Sequence, residues 1–178
     1  MLLSALPGDV YSLNAPLPDA VSALASDLAE DLPAARARRR ETHGLVVKRL
    51  GGGDRAAFQR LAARAREALA GAPAVEARVT GVDYFPDAAA GPSPVVYLAV
   101  ESPGLEALHR RPLDAFDPVE GIEGDAYVPH VTVARGGTLA AAKRLAEREV
   151  DPIEWAVTEL VFWDAEREVT AGTVSLPA

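Results

Sequence analysis

The sequence predicts a bilobal α+β fold in which two mostly antiparallel sheets face a central groove, with helices outside. Two observations carry that expectation. Strand-like and helix-like segments alternate along 178 residues in two halves of similar layout, and each half contains an apolar strand that carries a histidine and leads into a helix. Glycine and proline punctuate most junctions, and the length suits one compact domain or two lobes sharing a core.

Residues 10–14 form a first short strand, and Pro16 and Pro18 end it. Residues 19–32 read as a helix with Val21, Leu24 and Leu28 on one face. After Pro33 and an arginine run comes a second strand, 43–50, closed by Gly51, Gly52 and Gly53. Asp54 suits the N-cap of the next helix, whose buried face is Phe58, Leu61, Ala65 and Leu69. Strands follow at 75–85 and 95–100, with a turn at 90–94 and then a short helix at 105–110. The acidic, glycine-bearing stretch 114–125 reads as a mobile surface loop. A strand at 128–134, a helix capped by Thr138 and running to about Glu149, and strands at 153–162 and 169–176 complete the chain. Residues 1–9 are expected to be an N-terminal extension and 10–178 a single bilobal domain.

Composition narrows the function. Apolar residues make up 49% of the chain, enough for a sizeable core, and no stretch is long and apolar enough to span a membrane. Residues 1–8 lack the basic start of a signal peptide, and the chain is expected to be a cytoplasmic monomer. With no cysteine, disulfides and thiolate chemistry are excluded. The net charge of −8 argues against holding long nucleic acid by its backbone, and acid-rich, lysine-poor composition resembles that of high-salt or high-GC proteomes. The basic cluster Arg36, Arg38, Arg39 and Arg40 reads either as a solvated segment or as a local field that steers a phosphate.

The chemistry concentrates in Pro129-His130-Val131-Thr132-Val133-Ala134-Arg135. Alternate side chains of a strand share a face, so His130 and Thr132 point together, about 6.5–7 Å apart along the strand, while Val131 and Val133 face the core. An imidazole moves protons near neutral pH, and a hydroxyl beside it can donate to the same phosphate. His43, on the equivalent strand of the first half, is the candidate partner. Two such histidines can act as base and acid on one phosphodiester, in an order the sequence leaves open. His109, beside Arg110 and Arg111, is expected at the surface. Tyr84, Phe85 and Tyr97 read as core residues that could otherwise stack on a base. Trp155, Phe162 and Trp163 read as core or sheet-face residues. The three histidines lack the spacing of a helical metal pair, and Gly51–Gly53 lacks the rest of a nucleotide-binding loop, so no metal or cofactor is expected.

The chain resembles the 2H phosphoesterase superfamily, and within it the 2′–5′ RNA ligase-like, or RNA 2′,3′-cyclic phosphodiesterase, branch. Residues 129–135 resemble the second H-x-T/S motif of that superfamily, and Thr80–Pro86 with Val95–Val100 resemble its middle strands. The resemblance runs over nearly the whole chain. It implies that His43 and His130 are the acid–base pair, that Thr132 binds phosphate and that Arg135 assists. It also implies a metal-independent enzyme acting on RNA ends or small cyclic nucleotides.

The first motif departs from the pattern. Leu45 stands where Thr or Ser is expected, and Gly51 falls eight residues after His43 rather than seven. A one-residue shift turns side chains to the other face, so a bulge near Gly44 is expected to restore their direction. Lys48 stands where relatives often stack an aromatic on a base. Thr42 and Lys48 are therefore candidates for a substitute substrate contact. The expected activity is opening of a 2′,3′-cyclic phosphate to a 2′-phosphate, with 2′–5′ ligation as its reverse. The alternatives are a nucleotide or RNA-end binding protein with a degenerate first half-site, and an enzyme of this fold acting on another phosphodiester.

Overall fold

The computed structural model describes residues 11–177. In chain order the elements are β1 (Tyr11–Ala15), α1 (Asp19–Ala29), β2 (Ala35–Ala37), β3 (Leu45–Gly51), α2 (Arg55–Ala68), β4 (Val75–Phe85), β5 (Val95–Glu101), α3 (Pro103–Arg110), β6 (His130–Gly136), α4 (Leu139–Ala146), β7 (Ile153–Val157), β8 (Glu159–Asp164) and β9 (Val169–Ser175). The fold is α+β, built on two antiparallel sheets. One has the order β3-β1-β8-β9 and the other β2-β6-β5-β4-β7. The expected N-terminal extension lies outside the described residues.

Local sequence explains where helices begin. Asp54, Ser102 and Thr138 each accept a hydrogen bond from the backbone N–H three residues on, at 2.8, 3.0 and 3.1 Å. Each satisfies one donor that the first helical turn cannot. Phe58 of α2 packs on Tyr11 at 4.8 Å and on Phe162 at 5.7 Å between ring centroids, which seats α2 on the four-stranded sheet. α1 packs against β6, and α4 against β4, on the five-stranded sheet. The apolar faces of both sheets are thereby covered, leaving polar faces to line the groove.

Several expectations need correction. Only the first residue of the arginine run falls in a strand: Ala35–Ala37 pairs with β6, aligning Arg36 with Arg135 and Ala37 with Ala134. Without this short strand, the edge of β6 would be left unpaired. The helix expected over 19–32 stops at Ala29, although Leu32 remains buried. His43 lies outside its strand; it ends a single 3₁₀ turn at Arg40–Thr42, and β3 starts at Leu45. The segment 114–125 is tied to the core, with Phe116 and Glu123 buried.

The bulge expected near Gly44 sits further along β3. Asn14 aligns with Val46, but Leu13 aligns with Lys48, so Val47 is the extra residue. The side chains of Leu45, Val47 and Lys48 are all buried as a result. Gly44 instead permits a close approach, because a Cβ there would come within 3.2 Å of Asn14 Nδ2.

Candidate active site

The five-stranded wall of the groove carries the stronger half of the site. Along β6, Val131 and Val133 are fully buried on the core side, while His130 and Thr132 are half-buried on the other. His130 Nδ1 lies 2.7 Å from the Val128 carbonyl. A carbonyl only accepts, so Nδ1 carries the proton and Nε2 keeps its lone pair. The ring is braced by the aromatic pair Phe85 and Tyr97, which stack on one another at 4.3 Å. Phe85 and Tyr97 meet the imidazole in tilted or edge-on contacts at 5.4 and 5.2 Å. Burial raises the Tyr97 phenol to about 12, aided by Asp83, so this hydroxyl stays protonated.

Burial also lowers the His130 pKa from its ordinary value. The Val128 carbonyl opposes that shift, and the charges of Arg49, Arg135 and Arg38 reinforce it. The imidazole is therefore neutral at physiological pH, with an available lone pair among three guanidinium charges. Those guanidiniums come from three strands or their ends: Arg38 follows β2, Arg49 is on β3 and Arg135 is on β6. Sequence reasoning noticed Arg38 only as part of a run and missed Arg49. Arg135 Nη1 also donates to the Ala90 carbonyl at 2.9 Å, tying the β4–β5 loop to this wall.

The opposite wall differs from expectation. His43 Nε2 lies 3.0 Å from the Arg38 carbonyl, so Nε2 carries the proton. Its Nδ1 is buried without a partner. Burial and the nearby charges of Arg38 and Arg40 lower the His43 pKa, against the opposing effects of the Arg38 carbonyl and Glu41. His43 thus presents a donor where His130 presents an acceptor, and that donor is already engaged. Thr42, a candidate substitute contact, gives its hydroxyl to the Arg39 carbonyl. Leu45 is fully buried, so the half-buried residue opposite Asn14 is Val46 rather than position 45.

Lys48 must be removed from the substrate contacts. Its side chain is 1% exposed, and Nζ donates to Glu123 Oε1 at 2.7 Å and to the carbonyls of Arg49 and Asp117. The bulge at Val47 turned it inward, where a buried ammonium requires a carboxylate. His109 is likewise buried rather than superficial. Its Nδ1 faces the Val47 carbonyl at 2.6 Å, its Nε2 accepts from Gly124 N–H at 2.9 Å, and Tyr127 stacks on it at 4.0 Å. Together these contacts fasten 117–127 onto β3, just before the strand that carries His130.

A cavity of about 200 Å³ opens beside His43, bounded also by Asn14, Glu41, Gly44, Trp163 and Thr170. Trp163 is half-buried there, while Phe162 points into the core. Among the described residues, no group of three or more His, Asp or Glu side chains is placed to hold a metal ion. No helix among them is long and apolar enough to cross a membrane.

Comparison with known proteins agrees with this architecture. The model of the 2′-5′ RNA ligase superfamily matches residues 47–168, a stretch that includes His130 and Thr132 but begins after His43. The crystal structure of E. coli LigT complexed with 3′-AMP superposes with a TM-score of 0.71 at 15% identity, covering 96% of this chain and 99% of that one. The protein TT0787 of Thermus thermophilus gives 0.66 at 16% identity, covering 93% and 97%. At these identities the likeness shows a shared fold. No curated protein sequence matches this chain.

Proposed function

This chain belongs to the 2′-5′ RNA ligase superfamily, and from that premise we propose that it is a metal-independent phosphodiesterase opening 2′,3′-cyclic phosphate ends of RNA or small nucleotides to 2′-phosphates. The observation that carries this reading is His130, with Nδ1 fixed on a carbonyl and a free Nε2 lone pair among three arginine charges. That arrangement suits proton removal from a water beside an anionic phosphate.

In this reading the water oxygen bonds to phosphorus as the P–O3′ bond breaks. His130 Nε2 takes the water proton. His43 takes up a solvent proton at Nδ1 as the phosphate charge arrives, exchanges the Arg38 carbonyl for the substrate and gives its Nε2 proton to O3′. The proton on His130 then returns to His43 through solvent. Thr132 and the arginines hold the non-bridging oxygens. An RNA 5′-hydroxyl attacking in place of water is the 2′–5′ ligase direction. The complex of E. coli LigT with 3′-AMP supports a nucleotide as ligand for this fold.

The test is incubation with nucleoside 2′,3′-cyclic phosphates in the presence of chelator, with the product isomer identified by phosphorus NMR. Wild-type turnover to the 2′-phosphate is expected. Undiminished turnover by His130→Ala would overturn the mechanism.

One observation favours a second reading. The His43 donor is occupied by Arg38, its other nitrogen is buried, and no hydroxyl stands at position 45. A protein that binds cyclic-phosphate ends without cleaving them fits those facts. Micromolar binding with no wild-type turnover would select it.

A further inference from the structure

Of the residues around the cavity beside His43, the chemistry above uses only His43 itself. Pockets for drug-sized ligands run about 300–1,000 Å³, so a volume near 200 Å³ takes one ring system rather than a whole nucleotide. Its walls offer one aromatic surface and several polar groups. The indole of Trp163 lies on β8, across from Ser12 of β1. The Ser12 hydroxyl donates to Asn14 Oδ1 at 2.8 Å, leaving the Asn14 amide N–H₂ beside Gly44 at the wall. Glu41 lies near enough for its charge to bear on His43, whose Nδ1 is buried with no partner in the protein. An aromatic face with convergent donors and acceptors is what a planar heterocycle requires.

We propose that this cavity is a nucleobase subsite, in which a guanine stacks on Trp163 and gives its N1–H and N2–H to the Glu41 carboxylate. A carboxylate only accepts, so it pairs with two adjacent N–H donors and is repelled by the ring-nitrogen acceptor that adenine presents at the same edge. Asn14 N–H₂ supplies the complementary donor for the guanine carbonyl. The cavity adjoins His43, and the Arg38 carbonyl links His43 to the cationic wall. A nucleoside held here therefore extends toward the phosphate site. The assignment deepens the phosphodiesterase reading, on which its placement next to a scissile phosphate rests.

The experiment uses free nucleosides, which have no phosphate to hydrolyse. In a Trp155→Phe protein, Trp163 is the remaining indole, and its fluorescence is followed during titration with guanosine and with adenosine. Quenching by guanosine with at least tenfold preference over adenosine is expected. Glu41→Gln, a change at an exposed side chain, should erase most of that preference while leaving adenosine binding unaltered. No quenching by either nucleoside overturns the subsite, and equal response to both overturns the guanine assignment. If guanosine binds as expected but cyclic phosphates are not turned over, the subsite stands and the hydrolytic reading falls. Turnover with no base preference gives the reverse result.

Discussion

Glu123 Oε1 accepts from Lys48 Nζ at 2.7 Å, and each side chain is 1% exposed. The same carboxylate accepts the backbone N–H groups of Arg49 and Val119 at 2.9 Å. One buried acid thus joins β3, which carries Arg49, to the segment that leads into His130. Removing one partner of such a pair strands a buried charge. Lys48→Met is expected to lower unfolding free energy by about 3–5 kcal/mol, measured by urea denaturation. A loss under about 1 kcal/mol, the range of exposed pairs, would show that the pair is not buried in solution.

The pH dependence of stability follows from the same group. Burial alone would raise the Glu123 pKa, but Lys48 and the two backbone donors outweigh it, and the net direction is down. A carboxylate with a depressed folded pKa stabilises above its unfolded pKa, and that contribution is lost as pH falls through the folded value. His109, also lowered by burial, acts in the same sense at higher pH, as protonation would break its acceptor role toward Gly124. Thermal melts should show stability falling from about pH 6.5 downward. Flat stability from about pH 7 to 5 would contradict the His109 assignment, and flat stability from about pH 5 to 2 would contradict that of Glu123.

For turnover, the His130 pKa is lowered chiefly by burial, with help from Arg49, Arg135 and Arg38. A base is active when neutral, so the acid limb of kcat/KM should lie below about pH 6.5, the ordinary histidine value. Arg49→Gln removes one repelling charge and should move that limb upward, while weakening binding of the anionic substrate. A limb that stays put or moves down in this variant would dissociate Arg49 from the imidazole.

Truncating the two histidines separates the readings. His130→Ala should reduce kcat by about 10²–10⁴, the usual contribution of a positioned proton carrier. His43→Ala should cost a similar factor if its donor reaches the leaving oxygen. A drop below about threefold at position 43, with a large drop at 130, would confine the proton chemistry to one wall of the groove.

The missing hydroxyl of the first motif gives a gain-of-function test. Position 45 is core, so Leu45→Thr should only destabilise, by about 2–5 kcal/mol for a large-to-small change in the interior. Val46 faces the groove side opposite Asn14. Val46→Thr adds a hydroxyl there, worth about 1.5–3 kcal/mol against a charged acceptor, or roughly tenfold and more in kcat/KM. Equal outcomes for the two variants would contradict the placement of Leu45 in the core and Val46 on the other face of β3.

The sequence by itself determined what is local. Period-two alternation placed Val131 and Val133 in the core and His130 with Thr132 on the other face, and the cap residues Asp54 and Thr138 started their helices as expected. The order of elements was enough to foresee two antiparallel sheets. Tertiary structure decided everything that depends on register between strands or on segments folding over one another. One extra residue in β3 turned Lys48 inward to Glu123 and left Val46, rather than Leu45, on the groove side. The segment 117–127 closed over His109 and made a surface-looking histidine a buried one. Docking of β3 and β2 against β6 brought Arg49 and Arg38 into the field of His130 from more than 80 residues away in sequence. Side-chain alternation is dictated by each strand's own backbone, whereas these contacts are chosen by burial and charge pairing across the whole fold, which no single segment encodes.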